Sequence, residues 1–156
     1  MDNQLRNEIL TGNKEATKEA LKKSFEFNKL DEYGRTILYD LIVKGYDEIV
    51  KIIICSLDNV INVKDKEGKT PLHFAVIHFK FLIAKSLIEN GAEIDSKDIN
   101  GNTPLCEAIF YSEGKSEIIT LLVKNGANPD IENNYGISPR ELSETISNFD
   151  VSEFLK

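Results

Sequence analysis

The chain has 156 residues, 41% of them hydrophobic and 29% charged, with a net charge of −7 and a pI near 4.9. This is the composition of one soluble globular domain, and its acidity excludes a binder of phosphate backbones, which needs clustered Lys and Arg. No apolar run approaches a membrane span, Ile52-Ile53-Ile54-Cys55 being far too short, and Met1-Asp2-Asn3-Gln4-Leu5-Arg6 lacks the layout of a signal peptide.

Residues 1–30 read as a pair of short helices. Leu5, Ile9 and Leu10 fall on one face, Gly12-Asn13 makes the break, and Ala16, Ala20 and Leu21 line the next helix. From residue 31 the chain repeats itself. Asp31-Glu32-Tyr33-Gly34-Arg35-Thr36-Ile37-Leu38 is followed by Asp65-Lys66-Glu67-Gly68-Lys69-Thr70-Pro71-Leu72 and by Asp98-Ile99-Asn100-Gly101-Asn102-Thr103-Pro104-Leu105. The last two copies stand 33 residues apart, and Asn133-Asn134-Tyr135-Gly136-Ile137-Ser138-Pro139 is a fourth, weaker copy. A regular period of that length signals a solenoid, in which each unit buries its apolar face against its neighbours.

Each residue type in the copy beginning at Asp65 has a mechanical reason. Asp65 accepts backbone N–H bonds in a turn, and Gly68 permits a positive φ there. Thr70 caps the coming helix and Pro71 occupies its first position, where a missing N–H costs nothing. Leu72, Ala75 and Val76 recur at helical spacing; Leu82, Ile83, Ser86, Leu87 and Ile88 form a second helical face, closed by Asn90-Gly91.

Thr70-Pro71-Leu72-His73-Phe74-Ala75 with Leu87-Ile88-Glu89-Asn90-Gly91-Ala92 resembles the ankyrin repeat, and Thr103-Pro104-Leu105 with Leu121-Leu122-Val123-Lys124-Asn125-Gly126-Ala127 repeats the match. The resemblance implies an all-α solenoid of stacked helix-turn-helix units with β-turn tips, capped at both ends. Its expected divisions are a capping helix pair 1–30, repeats 31–64, 65–97 and 98–131, and a terminal capping repeat 132–156. In that last unit Ser138-Pro139-Arg140-Glu141 starts a helix, and Val151, Phe154 and Leu155 suggest a short closing one. Several positions depart from the pattern. Ile37 replaces the proline, so the first helix of that repeat is expected to start less sharply. Tyr39 stands where His73 does, Phe79 where a glycine is usual, and Phe110-Tyr111-Ser112-Glu113-Gly114 carries about two extra residues between helices.

Other motifs fail. Gly68-Lys69-Thr70 ends like a phosphate loop, but that loop needs a glycine where Val63 stands. Asp98, Asn100, Gly101 and Glu107 mimic a calcium loop, yet Ser96 replaces the leading Asp, and Pro104 and Leu105 start a helix inside it. Cys55 and Cys106 show no metal or redox spacing, so a reduced, cytoplasmic compartment is expected. The resemblance gives His73 a hydrogen bond to turn backbone between units rather than catalytic work. No nucleophile, metal set or cofactor loop remains, so the chain is expected to be neither an enzyme nor a cofactor binder.

Ankyrin-type stacks present turn tips and the exposed face of the first helices to partners. By position this implies a protein-binding set of Tyr33, Arg35, Lys44, Lys69, Ile77, His78, Ile99, Asn102, Phe110, Tyr111 and Tyr135. Aromatic residues and Arg dominate interface energetics. The expected function is a non-catalytic module that binds another protein, with acidity suited to a basic one. Neither nucleic acid nor membrane is expected as partner, and the chain is expected to be monomeric. The narrower alternative is a stand-alone inhibitor or immunity protein that neutralises a toxin or nuclease.

Overall fold

The computed structural model describes residues 3–23, 25–113 and 115–145. Among these the chain forms α1 (Asn3–Leu10), α2 (Lys14–Lys22), α3 (Ile37–Lys44), α4 (Asp47–Ile54), a 3-10 turn (Asp58–Val60), α5 (Pro71–Ile77), α6 (Phe81–Glu89), α7 (Pro104–Phe110), α8 (Glu117–Lys124) and α9 (Pro139–Thr145), with no strand. The closing helix expected around Val151, Phe154 and Leu155 lies outside the described residues.

Helices of seven to nine residues are too short to persist alone in water, so their stability comes from packing. They pack in two layers. In the inner layer α1 meets α3, α3 meets α5, α5 meets α7 and α7 meets α9; in the outer layer α2, α4, α6 and α8 follow one another. Each inner helix also pairs with the outer helix that follows it, from α1 with α2 to α7 with α8. The apolar seam between layers is fully buried: Leu38, Leu41 and Ile42, then Leu72, Ala75 and Val76, then Leu105, Ala108 and Ile109, against Ile49, Val50, Ile53, Ile83, Ala84, Leu87, Ile118, Ile119 and Leu122. Each large side chain there contributes roughly 1.5–3 kcal/mol of burial.

Two expectations are corrected by this packing. Leu82 does not face the seam; it is 60% exposed, because Ile83, Ala84 and Leu87 already fill that side of α6. The helix beginning at Ile37 has a defined start without proline, since Thr36 Oγ1 accepts the Leu38 N–H at 3.3 Å. Phe79 adopts the left-handed backbone expected of the glycine it replaces, with φ +53°. Its ring packs on the core and lies under the Lys115 ammonium at 4.6 Å, contacts that offset the cost of a side chain in that conformation.

Candidate protein-binding surface

The turn tips are built alike, and each is locked by one carboxylate or amide. Asp65 Oδ1 accepts the N–H groups of Glu67 and Lys69, both at 2.9 Å. Asp31, Asp98 and Asn133 do the same for their own turns. Successive tips are then joined by single backbone bonds: Lys66 N–H to Tyr33 O, Ile99 N–H to Glu67 O and Asn134 N–H to Asn100 O, each 2.9 Å. This row sets the spacing of every side chain the tips display.

One turn further along, His73 joins two units. Its Nδ1 accepts the Thr70 N–H at 3.1 Å, which places the ring proton on Nε2, 3.2 Å from Asn102 O. Burial pushes this imidazole down to about 4, so it is neutral near pH 7 and serves as a strut. Tyr39 does the equivalent job one unit earlier: its hydroxyl lies 2.8 Å from Lys69 O and 2.5 Å from Val63 O. Cys106, at the same position in the next unit, is a buried thiol raised by that burial above its ordinary pKa.

The second oxygens of Asp65 and Asp98 face the preceding unit. Arg35 Nε donates to Asp65 Oδ2 at 3.0 Å, and its guanidinium lies 4.7 Å from the Phe74 ring centre and 5.4 Å from that of Tyr33. Lys69 occupies the corresponding place beside Asp98 but reaches less closely. Its ammonium sits 3.4 Å from Glu67, 3.6 Å from Glu107 and 3.8 Å from Asp98 Oδ2. Asp98 Oδ2 is buried and takes no hydrogen bond from any described protein group. Burial raises the Glu107 carboxyl above the usual carboxylate range; the nearby ammonium opposes that shift and the Asp98 carboxylate adds to it. Burial disfavours the Lys69 charge, but Glu107, Glu67 and Asp98 outweigh it and hold the ammonium above its ordinary pKa.

The side chains proposed from sequence fall into two groups. Tyr33 (55% exposed), Ile99 (61%), Phe110 (62%), Tyr111 (41%) and Tyr135 (73%) stand in solvent. Lys44 and His78 are exposed too, and Lys44 Nζ donates to Leu10 O at 2.9 Å. Arg35, Lys69, Ile77 and Asn102 are half-buried. Arg35 and Lys69 spend their charge inside the stack, and Asn102 Oδ1 accepts from Asn133 Nδ2 at 2.9 Å.

A cleft of about 340 Å³ brings tips and helix face together; Lys69, Asn102, Glu107, Phe110, Tyr111, Ile137 and Leu142 are among its walls. Sequence reasoning met Glu107 only as part of a failed calcium loop and did not include Leu142. The available signal was Glu107 at the place held by Phe74 in the preceding copy, a carboxylate where that copy has an aromatic ring. Among the described residues no group of His, Cys, Asp and Glu is arranged to hold a metal ion, and no helix is long and apolar enough to cross a membrane.

A family model of ankyrin repeats in three copies matches residues 44–133. The potassium channel GORK of Arabidopsis thaliana is 42% identical over 105 residues, covering 66% of this chain and 12% of the channel. Ankyrin repeat protein OPG189 of Variola virus is 30% identical over 128 residues, covering 76% of this chain and 22% of that protein. The nuclear factor NF-kappa-B p105 subunit of Gallus gallus is 28% identical over 133 residues, covering 80% and 13%. The chain thus spans less than a quarter of the length of each of these relatives. Matched repeats, stacked helix pairs and turn tips have one reading: the chain belongs to the ankyrin-repeat family.

Proposed function

We propose that this chain is a non-catalytic module that holds a partner protein against its turn tips and the open face of α7. Ankyrin repeats are in general protein–protein interaction modules, and the fold alone names no partner. The observation that carries the reading is the placement of large apolar side chains. Of ten that are exposed among the described residues, seven (Tyr33, Val43, Ile99, Phe110, Tyr111, Tyr135 and Ile137) lie on the tips or inner helices. Exposed aromatic rings in a row suit an interface more than a free surface. The net charge of −7 favours a basic partner, through faster encounter. It also suits the narrower reading, an inhibitor that covers a basic toxin or nuclease. Two free thiols agree with action in a reducing, cytoplasmic compartment.

Affinity capture from native lysate tests this, comparing the wild type with a Tyr33→Asp, Tyr111→Asp, Tyr135→Asp variant shown by circular dichroism to fold. A partner held by the wild type and lost from the variant is the expected result. Equal retention by both would move the interface to the outer layer or the ends.

A further inference from the structure

We propose that the cleft formed by α7, α9 and the last three turn tips receives an arginine side chain of the partner, with Glu107 as its acceptor and the Phe110–Tyr111 ring pair as its wall. This rests on the partner-binding reading above and adds the chemistry of the group that inserts.

Charge around Lys69, at the edge of the cleft, is incompletely matched. The carboxylates of Glu67, Asp98 and Glu107 share one ammonium, that of Lys69, at 3.4, 3.8 and 3.6 Å. The Glu107 and Asp98 contacts are longer than a charge-assisted hydrogen bond, which runs about 2.7–2.9 Å. Two of these acids are largely withdrawn from water, the Asp98 side chain being 0% exposed and that of Glu107 8%, open only to the cleft. Asp98 Oδ2 takes no hydrogen bond from any described protein group, a condition native proteins seldom leave unrelieved. Burial also raises the Glu107 carboxyl, as expected of an acid short of positive partners. A second cation at Glu107 would complete the set, leaving Lys69 free to close on Asp98.

The chain itself shows what fits such a slot. One unit earlier, Arg35 donates to the Asp65 carboxylate at 3.0 Å while its guanidinium faces the Phe74 and Tyr33 rings. At Glu107 the same ingredients recur without the arginine: a buried carboxylate lining the cleft, and the Phe110 and Tyr111 rings, 5.0 Å apart edge to face, beside it. A planar guanidinium can donate to a carboxylate and lie on a ring together; an ammonium is a hydrated point charge that does so poorly. Ile137 and Leu142 give the cleft an apolar side, so the segment presenting the arginine carries an apolar neighbour.

Phage-displayed random linear peptides, panned on the wild type, Glu107→Gln and Lys69→Arg, test the proposal. The wild type is expected to enrich arginine beside an apolar residue. Its selected peptides should weaken about tenfold or more on Glu107→Gln and when their arginine is changed to lysine. Lys69→Arg keeps every charge and supplies from within a forked guanidinium able to span both Asp98 and Glu107, which lie 3.8 and 3.6 Å from the Lys69 ammonium, so it should block the same peptides while raising Tm; it decides the question if Glu107→Gln fails to fold. Peptides that bind without arginine and ignore both variants, yet are lost on the triple tyrosine variant, would overturn this inference and leave the partner-binding reading standing. Failure to select any peptide would overturn it too, and the lysate capture would then judge the broader reading alone.

Discussion

Three residues at one repeat position show how far chemistry can vary within a fixed backbone. Tyr39, His73 and Cys106 follow Thr-Ile-Leu, Thr-Pro-Leu and Thr-Pro-Leu, yet only the first two reach the next turn's carbonyl, at Lys69 O and Asn102 O. The position asks for a donor of sufficient length, and hydroxyl or imidazole satisfies it. His73 adds a pH dependence that Tyr39 does not have in this range. Its folded-state pKa is about 4, below the ordinary value near 6.5, so the unfolded chain binds the extra proton first as pH falls. Stability from this group is fully present above about pH 6.5 and is lost as pH drops towards 4, by an amount of order 3 kcal/mol. Glu107, whose carboxyl is raised by burial, works in the opposite sense over an overlapping range. Urea denaturation at pH 7 and pH 5 should therefore compare wild type with His73→Gln, whose amide can serve both bonds without titrating. The variant is expected to lose less stability between the two pH values.

At the scale of an element, the turn tip is the part most tightly constrained by its neighbour. Gly101 has φ +79°, and a Cβ there would stand 2.7 Å from the Asn134 backbone nitrogen. That nitrogen donates the bond joining the last two tips. Gly91 has a similar φ, +91°, but a Cβ there meets nothing within 4 Å. The two sites separate backbone strain from steric clash. Gly91→Ala is expected to cost about 1 kcal/mol, the left-handed penalty alone. Gly101→Ala should cost about 2–3 kcal/mol, because the tips must part as well. Thermal denaturation of both variants checks the difference, and equal losses would mean that the tips can slide apart freely.

Across the stack, stability passes from unit to unit, because among the described residues the main helix contacts are between neighbours. Leu87 is fully buried in α6, which lies between α4 and α8 in the outer layer. Leu87→Ala is expected to cost about 2–5 kcal/mol. In a linear stack that loss should uncouple the two sides: hydrogen exchange in α7–α9 should speed up separately from exchange in α2–α4. A uniform increase along the chain would instead show that the stack opens as one unit.

Much of this was legible in the sequence, for a physical reason. Asp65, Gly68, Thr70 and Pro71 act on backbone within a few residues of themselves, through an N–H bond, a positive φ, a cap and a fixed φ. Local constraints of this kind leave their mark in residue type and spacing, and the period of 33 residues follows from them. Helix order, turn positions and most of the buried seam were therefore determined by the sequence alone. What the tertiary structure decided lies between units. Leu82 turned outward because its neighbours filled the seam; Arg35 turned inward to Asp65, thirty residues on. Lys69 and Glu107 met in one cleft with Phe110 and Tyr111. Such contacts depend on which side chains face each other once the layers stack, and a buried charge takes its partner from whichever unit packs beside it.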